Sequence, residues 1–197
     1  MRIIAGQRKG MRLEAPEGRS VRPSSDLLRG AVMSVLGGFF DGERVLDVCA
    51  GTGAMALEFL SRGCGSAVAI ECDPAALAVL HRNASHTRFG DRLEIRSGDV
   101  AVELGCLAGR TFDYVYVDPP YESGLYAKVL PLLQEHGLVA PGGQVLVESA
   151  RGLDDGLLGA VWLRLSKRRY GAATLERLQL AVEQNVSQAT DAAATAP

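Results

Sequence analysis

The chain is 197 residues long, 47% hydrophobic and 22% charged, which suits one globular core with a small appendage and leaves no room for two full domains. No uncharged apolar run approaches the roughly 18 residues that span a bilayer, and Arg2 is followed only by Ile3-Ile4-Ala5 before Gly6, so membrane insertion and secretion are argued against and a cytoplasmic location is expected. The net charge of −2 hides an asymmetry: residues 1–30 carry seven Lys/Arg against three Asp/Glu, or +4, whereas the rest carries fourteen against twenty, or −6.

In chain order, Ile3-Ile4-Ala5 and Met11-Arg12-Leu13 flank a Lys9-Gly10 turn and read as a small β-hairpin. Ser24 can cap a helix that sets Leu28, Val32, Val35 and Leu36 along one face. Residues 1–40 are therefore read as an N-terminal appendage, and the basic charge of residues 1–30 makes it a candidate nucleic-acid-binding arm; a merely solvated terminus is the alternative. From Glu43 onward, strand-like runs at Arg44–Val48, Ser66–Glu71, Leu93–Ser97, Phe112–Val117 and Gln144–Glu148 alternate with helical stretches at Ala54–Ser61, Pro74–Ser85, Val100–Leu107 and Ser123–His136. That alternation predicts an α/β, Rossmann-like domain over residues 41–183. Trp162–Arg169 and Thr174–Val182, joined across Tyr170-Gly171, read as an antiparallel pair that completes a mixed seven-stranded sheet with helices on both faces. Residues 184–197, mostly Ala and Thr, are expected to be a disordered tail. Cys49, Cys64, Cys72 and Cys106 form no C-x-x-C pair and no Cys/His set, so four reduced, mostly buried thiols and no metal site are expected.

Val45-Leu46-Asp47-Val48-Cys49-Ala50-Gly51-Thr52-Gly53-Ala54 is an apolar strand that feeds a Gly-x-Gly turn into a helix. Such a turn lets a ligand approach the backbone, and Gly51 and Gly53 suit a dinucleotide as well as other nucleosides. Asp47, just before the turn, would repel a pyrophosphate and welcome a cationic amino-acid group, which favours S-adenosylmethionine. Glu71 ends the second strand twenty residues after Gly51, where it can accept the hydroxyls of a ribose. Asp99 and Val100, after the third strand, can meet an adenine amino group and ring, although Asp99 equally fits a helix cap.

The tetrapeptide Asp118-Pro119-Pro120-Tyr121 follows the fourth strand, at the sheet edge where α/β folds bind ligands. Two prolines remove two N–H donors, so the Asp118 carboxylate and the Pro119 carbonyl form an acceptor-only wall suited to an exocyclic NH2 group, with Tyr121 stacking on the base. A plain proline turn is the competing reading for an isolated occurrence. His81, His86 and His136 fall on polar helix faces, and Trp162 reads as a core or edge anchor. Lys167-Arg168-Arg169 fits a phosphate contact and an edge-strand guard equally well.

Met1 to Gly6, Lys9-Gly10, Arg22-Pro23-Ser24-Ser25-Asp26 with Arg29, Val45 to Gly53, Leu60 to Gly63, Glu71, Asn83, Asp118 to Tyr121 and Lys167 to Gly171 stand in the order of a known family. With them the chain resembles the RsmD family, the 16S ribosomal RNA guanine-N2 methyltransferases. The resemblance implies a class I methyltransferase fold and methyl transfer from S-adenosylmethionine to N2 of one small-subunit guanine. It implies catalytic roles for Asp118, Pro119 and Tyr121, and RNA contacts by Lys9, Arg22, Ser24 and Arg29. The expected partner is 16S ribosomal RNA in an assembling small subunit, with the enzyme a monomer. Two other readings stay open: an adenine-N6 methyltransferase on DNA or RNA, and a non-catalytic RNA-binding assembly factor.

Overall fold

Short runs of Val, Leu, Ile and Ala build the centre of the sheet, because parallel strands covered on both faces need no polar side. The computed structural model describes residues 1–15, 24–120 and 123–181; Arg22, the side chain of Ser24, Tyr121 and the 184–197 tail lie outside the described residues. In it β1 (Arg44–Val48), β2 (Ser66–Glu71), β3 (Leu93–Ser97), β4 (Phe112–Val117) and β5 (Val139–Ser149) pair in parallel, while β7 (Ala173–Leu180) runs antiparallel between β5 and the edge strand β6 (Trp162–Tyr170). The order β3-β2-β1-β4-β5-β7-β6 is the mixed seven-stranded sheet expected. It reverses direction between β1 and β4, so the chain leaving those two strands opens a crevice at their carboxyl ends.

One face of the sheet is covered by α1 (Ser24–Val35), α2 (Ala54–Ser61) and α3 (Pro74–Thr87), through Leu28, Val32, Met33, Phe59 and Leu80. The other is covered by α4 (Val100–Cys106), α5 (Tyr126–Glu135) and α6 (Asp155–Leu158), through Leu104, Val129, Leu133 and Leu158. Asp73 caps α3 by accepting from Ala75 N–H at 2.9 Å, with Pro74 in the first position, where its missing N–H costs nothing. The helix expected from Ser123 starts only at Tyr126: Ser123 Oγ accepts from Leu125 N–H at 3.3 Å and Gly124 sits at φ +65°, so a turn precedes it. Trp162 is buried in the second core, and His81 and His86 are exposed. All four cysteines are free, but Cys72 and Cys106 are exposed, so the expectation of mostly buried thiols is corrected.

The N-terminal segment departs most from expectation. Its two arms meet at one antiparallel bridge, Arg2 with Arg12, around a 3-10 turn at Gly6–Arg8. It is not a separate appendage: Ile3 and Leu13 are buried in the same core as Leu28, Val32, Met33 and Phe59. Fully buried Glu58 of α2 accepts from Ile4 N–H (2.8 Å) and Ala5 N–H (3.1 Å), Ser61 Oγ donates to Ala5 O (2.6 Å), and Arg8 N–H donates to Ser61 Oγ (3.0 Å). Gly6, at φ +83°, lies so close to α2 that a Cβ there would be 1.8 Å from the Ser61 carbonyl oxygen. The segment is built into the domain by a buried polar seam.

Candidate active site

The turn after β1 is shaped by left-handed backbone at Cys49 (φ 64°), Gly51 (φ 56°) and Gly53 (φ 75°), and Gly53 opens α2. A Cβ at Gly53 would press on Leu80 Cγ at 3.0 Å, which explains the second glycine of the pair. Asp47 Oδ2 accepts from Ala56 N–H at 3.0 Å and so occupies a donor of the first turn of α2. Its burial, eased by the Ala56 bond and aggravated by the charge of Glu71, pushes its carboxyl up to about 7. Glu71 Oε2 accepts from Gly51 N–H (2.7 Å), and its Oε1 accepts from Cys72 and Asp73 N–H (2.8 Å each), so the carboxylate ties the glycine turn to the end of β2.

Asp47, Gly51, Glu71, Asp99, Val100, Asp118 and Pro119 line a single cleft of about 820 Å³. Gly53, in the same turn, does not line it and packs instead against Leu80. Asp99 caps α4, its Oδ1 accepting from Ala101 (2.9 Å) and Val102 (3.4 Å) N–H, while facing the same cleft. Burial, then the charges of Glu148 and Asp47, hold the Asp118 carboxyl well above the usual carboxylate range. Cys49, also in the cleft, is no thiolate nucleophile: burial and the surrounding carboxylates, Glu71 first, push its thiol up to about 12.

The structure adds residues that sequence reading missed. Glu148, at the carboxyl end of β5, and Tyr116 of β4 line the cleft beside Asp118, and the Tyr116 hydroxyl donates to Glu148 Oε2 at 2.5 Å. Tyr170, Ala172 and Ala173, at the β6–β7 turn, form part of its rim. The only available signal for Glu148 was an acidic residue closing a strand of the same sheet.

Of the expected RNA contacts, Lys9 is exposed on the N-terminal turn and does not line the cleft. Arg29 must be corrected. It is only 3% exposed, and its guanidinium donates to Arg2 O (2.6 Å) and Asp26 Oδ1 (2.8 Å), with Glu58 Oε2 at 3.5 Å. Its charge is spent inside the fold, so it does not reach out to a phosphate. Lys167, Arg168 and Arg169 are exposed on β6; the register sets Arg168 opposite Leu175 and Tyr170 opposite Ala173, placing Arg168 on the face of the sheet where Tyr170 borders the cleft. Among the described residues, no helix is long and apolar enough to cross a membrane, and no group of three His, Cys, Asp or Glu is placed to hold a metal.

A model of the family described as conserved hypothetical protein 95 matches residues 1–179. The ribosomal RNA small subunit methyltransferase D of Escherichia coli strain K12 is 33% identical over 149 residues, covering 76% of this chain and 74% of that protein. The solved structure of yhhF from Escherichia coli matches with a TM-score of 0.80 at 28% identity, over 93% of this chain and 99% of the other. A hypothetical protein of Thermus thermophilus, TTHA0928, matches with a TM-score of 0.75 at 31% identity, over 91% and 99%. The sheet order, the glycine turn after β1 and these matches make this the Rossmann-like fold of class I S-adenosylmethionine-dependent methyltransferases, and the chain belongs to the RsmD family, that of ribosomal RNA small subunit methyltransferase D.

Proposed function

We propose that the protein transfers a methyl group from S-adenosylmethionine to the exocyclic N2 amine of a guanine in 16S ribosomal RNA, acting as a monomer on an assembling small subunit. The observation that carries the reading is the meeting, in one cleft, of the acceptor-only wall at Asp118-Pro119 with the glycine turn and its two carboxylates, Asp47 and Glu71. Membership of the RsmD family supports ribosomal RNA as the substrate class.

The residues present fit that methyl donor. Six acidic residues, Asp47, Glu71, Asp73, Asp99, Asp118 and Glu148, line the cleft, and the guanidinium that lines it among the described residues, that of Arg29, donates to Arg2 O and Asp26 Oδ1. A diphosphate would be repelled there, and the helix N–H of Ala56 is already taken by Asp47. Bound in the cleft, S-adenosylmethionine supplies an electrophilic methyl group on a cationic sulfur. Asp47 holds the ammonium of its amino-acid moiety. Glu71 keeps acceptor capacity for a ribose hydroxyl beyond the three N–H groups it binds. Val100 packs against the adenine, with Asp99 beside its amino group.

Asp118 and the Pro119 carbonyl accept the two hydrogens of the target amine, which aims the nitrogen lone pair at the methyl group, while Tyr121 stacks on the base. Lys9, Arg22, Ser24 and, on the cleft side of β6, Arg168 contact the RNA backbone, which carries charge but no sequence information. The test is methyl transfer from labelled donor to unmodified small subunits, followed by nucleoside analysis. N2-methylguanosine is the expected product. N6-methyladenosine would move the assignment to an adenine enzyme, and RNA binding without transfer would leave an assembly factor.

A further inference from the structure

The parallel register of β4 and β5 pairs Tyr116 with Leu146 and Val117 with Val147, so Asp118 and Glu148 leave the sheet level with each other. Both carboxyl groups line the cleft, and after burial the charge of Glu148 is the largest influence raising the Asp118 carboxyl. The Tyr116 hydroxyl donates to Glu148 Oε2 at 2.5 Å, and the Tyr126 hydroxyl of α5 donates to the Glu148 carbonyl oxygen at 2.7 Å, so both side chain and backbone of Glu148 are fixed. Two ionised carboxylates are acceptors only; a hydrogen bond between them requires a proton.

Resting on the function proposed above, we propose that Glu148 is a positioning residue for the transfer: it shares one proton with Asp118, turns the other Asp118 oxygen toward the cleft as an acceptor, and makes the pair the destination of the proton that the amine releases. As the nitrogen lone pair forms the new N–C bond, the C–S bond breaks, its electron pair stays on sulfur, and the nitrogen becomes cationic. Its proton passes to the cleft-facing oxygen of Asp118, while the shared proton remains with Glu148. The pair goes from one negative charge to none, and no further base is required.

The groups around Asp118 agree with this assignment. Asp47 faces it from β1, Cys49 from the following turn, Tyr116 from its own strand and Glu148 from β5, and Arg29 of α1 lines the same cleft with its Nη2 donating to Arg2 O and Asp26 Oδ1. Burial, then the charges of Glu148 and Asp47, hold the Asp118 carboxyl well above its ordinary range.

The first test is a titration of the full chain labelled with 13C at its Asp and Glu carboxyl carbons. In the wild type, the Asp118 resonance should titrate above the ordinary carboxylate range; titration at ordinary values would overturn the inference. Glu148→Gln places a neutral amide donor against Asp118, so the Asp118 midpoint should fall by about one unit or more. An unmoved midpoint would overturn it as well. In single-turnover transfer to unmodified small subunits, Glu148→Gln should lower the plateau rate about tenfold or more and carry the acid limb of the pH profile downward with the carboxyl midpoint. A lower plateau with the acid limb in place is what a merely structural Glu148 would give, and it would remove the positioning role. If the wild type transfers no methyl group, the functional reading falls and takes this role with it, while the titration still decides whether the proton is shared.

Discussion

Replacing Asp47 by Asn removes the carboxyl whose ionisation burial delays to about pH 7, while leaving an oxygen that can accept from Ala56 N–H. If Asp47 holds the donor's ammonium, binding selects its ionised form, and below pH 7 each unit of pH should weaken donor affinity about tenfold, or about 1.4 kcal/mol. Between pH 7 and pH 5 that amounts to about a hundredfold; above pH 8 the affinity should be flat. Calorimetric titration with S-adenosylmethionine, repeated in two buffers of different ionisation enthalpy, counts the proton released. Asp47→Asn should bind about 1.5–3 kcal/mol more weakly at pH 8, the range for a lost charge-assisted bond, with no slope from pH 5 to 7. The folded protein alone gives a second reading. A carboxyl raised in the folded state contributes stability that is fully present below its unfolded value of 3.8 and is lost as pH rises through about 7. The loss is bounded at about 4 kcal/mol, from about three units at 1.36 kcal/mol each, so thermal melts of Asp47→Asn should show a flatter pH dependence and a gain at pH 8. Wild-type affinity that does not change between pH 5 and pH 8, or a mutant that keeps the wild-type slope, would refute the placement of a cation at Asp47.

Asp118→Ala should lower single-turnover transfer about a hundredfold or more while calorimetry finds donor affinity unchanged, because its partner is the amine; a near-normal rate would end its catalytic assignment. Gly6→Ala should destabilise the fold by about 3 kcal/mol in denaturant titration, since the new Cβ meets the Ser61 carbonyl oxygen and the backbone is left-handed. A cost below about 1 kcal/mol would show that the N-terminal seam yields easily. Lys9→Glu and Arg168→Glu should each weaken RNA binding at low salt and reduce the slope of log affinity against log salt by about one; an unaltered slope would place that residue away from the RNA.

Four of the parallel strands could be read from the sequence to their ends, since Arg44–Val48, Ser66–Glu71, Leu93–Ser97 and Phe112–Val117 all stand as expected. β5 was legible only from Gln144 onward. Its first residues pass through Pro141-Gly142-Gly143, which reads as a turn; in the structure Val139 pairs with Phe112 before the register shifts to Gln144 opposite Tyr114. The site was legible wherever a residue sits next to a local signal. Asp47, Glu71 and Asp118 each close a strand or flank a glycine or proline turn, and all three reach the cleft. Glu148 also closes a strand-like run, but its meaning lies in Asp118, thirty positions away in sequence and adjacent only once β4 and β5 pair. Asp99 shows that two local readings can hold together, since one oxygen caps α4 while the residue faces the cleft.

The basic N-terminus shows why counting charges differs from locating them. Seven Lys/Arg in thirty residues suggest an arm extended toward nucleic acid, but a charge acts at a distance only if it is not already neutralised or donated within the fold. Arg29 is buried against Asp26, Glu58 and the Arg2 carbonyl oxygen, and Arg8 donates through Nε to Thr87 O at 2.9 Å while stacking on Phe89. Arg2, Lys9 and Arg12 are the exposed cations of residues 1–15. The same residues that reduce the apparent arm also dock it: Glu58, with no exposure of its own, satisfies Ile4 and Ala5 N–H and pairs with Arg62 at 2.7 Å, and removing one member of such a buried set costs about 3–5 kcal/mol. Met1, Ala15 and Leu28 then border the cleft itself. A cleft wall docked through buried charge and core side chains cannot be cut away without exposing Ile3 and Leu13's partners in the main core, so any RNA contact by this segment is made by a rigid rim of the active site, fixed relative to Asp118, and its charge reversals should change RNA affinity without changing the fold.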